Sequence, residues 1–354
     1  MNNGKQPEAI KITLQDLDAL GVSAPGPEPI VAPPPGSRVY GTITDAADKA
    51  PVVAEDKGSL LLKGWFYLGA AGLLGAFAGW AIAEPSFVDG GARRWGNYLL
   101  IPLIVALMSA IVGVAESIVE RAPRKAAIRT LIALPLGLAF GGIFMLFADL
   151  VFRIMVGVVA SMGVRTFEHP AFWIARGVAW SVFGAAGGLV YGIVGQSFKK
   201  GQYGVLGGMI GAFIGGAIFD PIVMMTGGER AVLSRAVGFS LLGMATGISM
   251  GIVESALKHR WLYVTSGPLA GKQFILYKAI TTLGSEQQSD IYLFKDQAIL
   301  PNHAVIATHG SRTKLTAMGA VFVAGSPVQN RILQEGDLIQ IGRYAFRYKE
   351  KARA

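Results

Sequence analysis

The sequence predicts two folded parts: an α-helical polytopic membrane bundle of six helices arranged as three hairpin repeats, then an all-β sandwich. Three observations predict it. Apolar stretches near 60–83, 96–119, 127–149, 172–195, 203–224 and 232–257 are each long enough to cross about 30 Å of hydrocarbon. The chain carries 47 glycines without a Gly-X-Y period, which suits close helix packing in lipid. After Trp261 the helical period gives way to short alternating runs separated by turn residues.

Residues 1–58 hold eight of the 17 prolines and almost no aromatics, a composition that cannot bury a core and predicts an extended, disordered tail. Within it Ile10, Leu14, Leu17 and Leu20 fall near helical spacing before Gly21. Two readings stay open there: a short docking helix, or a transient helix without a partner. The first apolar run begins near Leu60, so no signal peptide is expected. Basic and acidic residues number 5 and 8 in residues 1–60, 15 and 9 in 61–258, and 12 and 6 in 259–354, so the net charge of +9 is shared between the helical and the β part.

Residues 59–258 read as the six-helix transmembrane domain, built on an internal repeat. Aligning Arg176 with Arg235 also matches Gly184/Gly243, Gly188/Gly247, Gly192/Gly251 and Lys199/Lys258. The first and fifth stretches match at Tyr67/Tyr203, Gly72/Gly208, Gly79/Gly215, Glu84/Asp220 and Pro85/Pro221. Three hairpins related by parallel repetition follow, the middle one with an insertion of roughly ten residues around Val156 to Pro170. The glycine rows are expected to be packing faces. Arg121, Arg124, Lys125 and Arg129, then Lys199 and Lys200, then Lys258 and Arg260 follow the even helices, which predicts cytoplasmic termini and a bacterial inner-membrane location.

Ionisable residues at membrane depth are candidates for function. Glu84, Asp149 and Asp220 end the odd helices, and Arg94, Arg176 and Arg235 start the even ones on the same side. These six are expected to form a ring of structural ion pairs between hairpins; an ion or proton path is the alternative. Glu254 with Lys258 and Glu120 with Arg124 have the i,i+4 spacing of helix-end pairs. With no cysteine, four scattered histidines and neither a P-loop nor a nucleophile–base motif, the chain is read as non-enzymatic, with no catalytic residue, metal or cofactor. No helix-turn-helix, zinc finger or aromatic RNA motif accompanies the basic charge, so nucleic acid is not an expected partner.

Residues 259–351 read as the sandwich. Their motifs are Gly271; Thr282-Leu283-Gly284; Ser289-Asp290-Ile291 with Leu293; His303-Ala304 with Ile306; Phe322-Val323 with Gly325; and Leu333 through Gly336-Asp337-Leu338-Ile339 to Gly342, ending in Phe346. In this order and spacing the region resembles the forkhead-associated (FHA) domain. The resemblance implies a β-sandwich that recognises phosphothreonine peptides on signalling proteins. It also implies an Arg after the glycine of the third strand, a Ser and an Arg before the histidine, and an Asn-Gly that holds the peptide. Ser285, Leu300 with Pro301, and Gly319 with Ala320 stand in those places. His303 is implied to brace the loop. Ser285, Asn302, Ser311, Arg312 and Lys314 are the candidates for a compensating protein- or phosphopeptide-binding rim. The expected function is a membrane-anchored scaffold or adaptor presenting a degenerate FHA-like domain to an unidentified cytosolic protein partner, with anionic membrane lipid a further partner of the basic domain. The alternative is a small channel or transporter regulated by that domain.

Overall fold

The structure, a computed structural model, describes residues 59–351 apart from 89–93, 167, 226–230 and 311. The tail readings, including the Ile10–Leu20 segment, fall outside the described residues, and so does Ser311.

Six helices fill the first part: α1 (Gly64–Ala83), α2 (Trp95–Val119), α3 (Pro123–Ser161), α4 (Pro170–Val194), α5 (Phe198–Met225) and α6 (Ala231–Leu257). All six are long and apolar enough to cross a membrane by length and composition. Local chemistry sets several of their ends. Pro123 and Pro170 start α3 and α4, where a missing N–H costs nothing. The His169 side chain caps α4 by accepting from the Ala171 N–H at 3.1 Å. Each helix packs on its chain neighbours and α6 closes back onto α1, while α2 also touches α4. α3 is the least buried of the six and α2 the most.

α3 departs from the expected third stretch. It runs for 39 residues, or about 58 Å, through the segment read as the start of an insertion. Residues 150–161 contain no proline and only Gly157, so nothing breaks the helix until Gly163 adopts φ +83°.

Glycine lets the helices touch backbone to backbone. A Cβ on Gly184, Gly188 or Gly192 of α4 would overlap Gly208, Gly204 or Gly201 of α5, and one on Gly72 would overlap Gly243 across the α1–α6 contact. The space between the helices is filled by apolar side chains. It retains a void of about 10 Å³ bordered by Ile104, Met108, Phe183, Phe239 and Leu242.

The second part has eleven strands, β1 (Arg260–Ser266), β2 (Gln273–Ile275), β3 (Ile280–Gly284), β4 (Ile291–Tyr292), β5 (Ala304–His309), β6 (Arg312–Ala317), β7 (Val321–Val323), β8 (Ser326–Pro327), β9 (Asn330–Ile332), β10 (Leu338–Ile341) and β11 (Tyr344–Glu350). One sheet runs β2-β1-β11-β10-β7-β8, the other β4-β3-β5-β6-β9. Alternate residues point inward, so Leu262, Val264, Leu283, Ile306, Leu315, Ile339, Ile341 and Phe346 form one core between the sheets. Tyr344 and Tyr348 are wholly buried with their hydroxyls satisfied, Tyr344 donating to Phe294 O at 2.7 Å and Tyr348 to Thr313 Oγ1 at 2.9 Å. Burial pushes both phenols up to about 12.

Candidate functional site

Three loops share one end of the sandwich: 285–290 between β3 and β4, 293–303 between β4 and β5, and 318–320 between β6 and β7. Gly284 begins the first because a Cβ there would overlap the Pro301 carbonyl, and the Ser285 N–H donates to Leu300 O at 2.9 Å. His303 ties the loops together. Its Nδ1 accepts from the Leu300 N–H at 3.0 Å, which leaves the proton on Nε2, and Nε2 then donates to Ala320 O at 3.0 Å. Gly319 lies against the imidazole face, where any Cβ would collide. The rim so formed exposes Leu300, Pro301, Asn302, Met318 and Ala320. Leu300, Pro301 and Met318 give this end an exposed apolar patch, with Asn302 as an amide donor and Ser285 half-buried beneath, while Glu286 and Gln288 on the first loop and Lys295 and Gln297 on the second are exposed polar neighbours.

The four described candidate residues do not converge. Ser285 and Asn302 stand at this end. The β5–β6 register pairs Ala304 with Ala317 but His309 with Arg312, which puts Arg312 five residues away at the opposite end, roughly 17 Å at ~3.3 Å per residue. Lys314 is opposite Ala307, exposed midway along the strand. The tight turn at Gly310, with φ +56°, forces this separation, because it makes Arg312 the first residue of the returning strand. Arg312 therefore cannot replace the missing phosphate fork at the rim.

Behind the rim, the 286–290 loop is held by the helical part. The Arg124 N–H donates to Gln287 Oε1 at 3.0 Å, and Lys125 Nζ donates to Ser289 O and Asp290 O, each at 3.1 Å. Arg121, in the α2–α3 turn at φ +56°, lies 5.9 Å over the Phe294 ring. Asp290 accepts from Lys278 Nζ at 2.8 Å, the Thr282 N–H at 3.0 Å and Thr282 Oγ1 at 3.1 Å. Burial alone would raise its carboxyl, but the Lys278 and Thr282 bonds outweigh burial and hold it below the ordinary aspartate value.

The helix-end pairs differ from their sequence spacing. Glu120 binds Lys272 at 2.9 Å and Lys125 at 3.5 Å in place of Arg124, because the sandwich brings a buried ammonium to it. Lys258 donates to Gln273 Oε1 and lies over the Trp261 ring, leaving Glu254 without it. Sequence spacing offered no signal for Lys272 or Gln273, which belong to the other half of the chain.

At the far end of the bundle Arg235 grips both Glu84 oxygens, with Nε at 3.1 Å from each, and Arg176 Nε meets Asp220 Oδ2 at 2.9 Å. Arg176 also faces the rings of Phe152, Trp180 and Phe219. Asp149 does not join Arg94. It pairs with Arg153 one turn along its own helix at 2.8 Å, and both are more than half exposed. The extension of α3 beyond the expected stretch supplies this closer partner, so the expected ring does not close.

Residues 281–342 match the model of the FHA domain. Over 129 residues the chain is 33% identical to the oxoglutarate dehydrogenase inhibitor of Corynebacterium efficiens, spanning 35% of this chain and 87% of the relative. Over 86 residues it is 34% identical to the glycogen accumulation regulator GarA of Mycobacterium tuberculosis, spanning 23% of this chain and about half, 52%, of that relative. The crystallised FHA domain of the CT664 protein from Chlamydia trachomatis is 24% identical and wholly covered by 27% of this chain, with a TM-score of 0.25. The chain belongs to the FHA domain family, carrying that domain after its six helices.

Proposed function

We propose that the protein is a non-enzymatic membrane-anchored adaptor: residues 59–258 form a transmembrane domain of three repeated hairpins, and residues 259–351 present an FHA-like domain to a cytosolic protein partner. The observation that carries this reading is the rim. Ser285, half-buried with its N–H committed to Leu300 O, stands where the phosphate fork would, and exposed Leu300 and Pro301 stand where the family's Ser and Arg would, with Met318 exposed beside them. A phosphate dianion docking there would lose water without gaining a bidentate partner. An apolar protein surface would gain by covering the same side chains. Relatives named as an inhibitor and as a regulator support a non-catalytic, regulatory role. The glycine-lined helix contacts and apolar bundle interior support an anchor over a transport path. Basic residues at the end of the bundle next to the sandwich support a cytoplasmic placement of that end in a bacterial inner membrane.

Two measurements test this. Resistance of the full chain to alkaline carbonate extraction tests the anchor. For the rim, the full chain in nanodiscs is titrated with a phosphothreonine peptide and its unphosphorylated twin. Equal affinities, with any weak excess for the phosphopeptide abolished by moderate salt, are expected. A salt-resistant, phosphate-dependent micromolar affinity would make the domain a phosphothreonine reader.

A further inference from the structure

Between the helix ends and the sandwich lies a cavity of about 580 Å³, within the range of small-molecule sites. Its charged lining is unbalanced. Glu116 is shared by Arg129, at 3.4 Å, and Lys200; Glu120 by Lys125 and Lys272; Asp290 is held by Lys278. Five cations thus share three carboxylates. A fourth acid, Glu254, is 4% exposed and has the Tyr191 and Tyr277 hydroxyls beside it as donors. Withdrawing surplus cations from water is costly unless an anion meets them. With Lys63 also on the wall, six cations face four carboxylates, so the lining lacks an anion.

The remaining walls narrow the ligand. Trp65 of α1 and Ile128 and Ile132 of α3 also line the cavity, and all three are exposed. Ammonium groups and an Arg fork suit phosphate oxygens. Apolar side chains beside a basic pocket at helix ends suit the chains below a phospholipid head group. We propose that this cavity binds a phosphate ester, its phosphate toward Lys278, Lys125 and Arg129. The source is the head group of an anionic membrane phospholipid or the free soluble phosphate ester. The lipid source rests on the membrane reading, which carbonate extraction tests separately.

The test uses the full chain in detergent. Native mass spectrometry counts bound phosphatidylglycerol against phosphatidylcholine supplied in equal amounts, and thermal shift follows titration with glycerol 3-phosphate. Selective retention of phosphatidylglycerol without a response to glycerol 3-phosphate assigns the lipid; a saturable response to both assigns the phosphate ester whatever its source. Lys278→Gln gives up the pairing with Asp290 and one cation of the lining, and is expected to weaken retention about fivefold, the effect of one cation near an anionic head group. Glu254→Gln removes a negative charge, breaks no ion pair and keeps an acceptor, so it is expected to strengthen retention by about the same factor. These opposite directions distinguish a binding role from a structural one. If Lys278→Gln is misfolded, the Glu254→Gln gain decides alone. No binding of either probe above the phosphatidylcholine background, or both variants moving retention the same way, would overturn the proposal.

Discussion

Asp290 shows how one side chain fixes the geometry behind the rim. It closes the β3–β4 loop onto Thr282, anchors Lys278 and leaves its own carbonyl for Lys125. Because its folded pKa is depressed, its contribution to stability is complete above the ordinary aspartate value. That contribution disappears as pH falls through the lower folded value. Asp290→Asn is therefore expected to be less stable than wild type at pH 7 by about 1–3 kcal/mol, the cost of lost charged hydrogen bonds. Thermal melts should also show it losing less stability than wild type on acidification, so that the two curves converge in acid. Parallel curves would mean that Asp290 is not held in its ionised form. The contacts of His303 follow the role that the family resemblance implied, since the histidine ties Leu300 to Ala320. The placement of Arg312 was beyond sequence reading, because only the register of β5 against β6 shows which end of the hairpin it occupies.

At the scale of elements, glycine sets how closely the helices approach. Gly188 meets the backbone of Gly204 and Val205, and Gly247 that of Leu68 and Gly69. A leucine at either position must push two helices apart. Gly188→Leu and Gly247→Leu are each expected to lower the melting temperature in detergent, and wild-type melting in both would refute these close contacts as determinants of packing. The Arg235–Glu84 pair ties the start of α6 to the end of α1. Arg235→Gln alone leaves a carboxylate without its partner, so adding Glu84→Gln is expected to restore part of the lost stability. Additive losses in that cycle would argue against direct coupling. Six helices and a sandwich were legible because hydropathy period and turn residues are local signals. The length of α3 was not legible: hydropathy marks the part that suits lipid, whereas a helix continues until a breaker such as Gly163. The choice of Arg153 by Asp149 follows from that extra length.

For the whole molecule, the junction between bundle and sandwich is the feature that no local pattern carries. Glu120 and Lys272 are 152 positions apart, and only the docking of the sandwich edges near β2 and β4 onto the α2–α3 turn brings them within 2.9 Å. The same docking supports the rim from behind, through Lys125 to Ser289 and Asp290 and through Arg124 to Gln287. A partner that reshapes the 285–290 loop must then work against contacts made by the helices, so the rim and the helical bundle are mechanically coupled. Lys125→Gln tests this directly. Glutamine preserves the helix, since its propensity is close to that of lysine, but it removes the charged donor shared by two loop carbonyls. Amide hydrogen exchange across 285–290 is expected to rise by at least about tenfold, as for a charged hydrogen bond worth ~1.5 kcal/mol or more. Exchange at Ile339 and Ile341, buried in the sandwich core, should stay at the wild-type rate. Acceleration in both places would mean that the substitution unfolds the sandwich as a whole. Unchanged exchange in both would mean that the loop holds its shape without the helices.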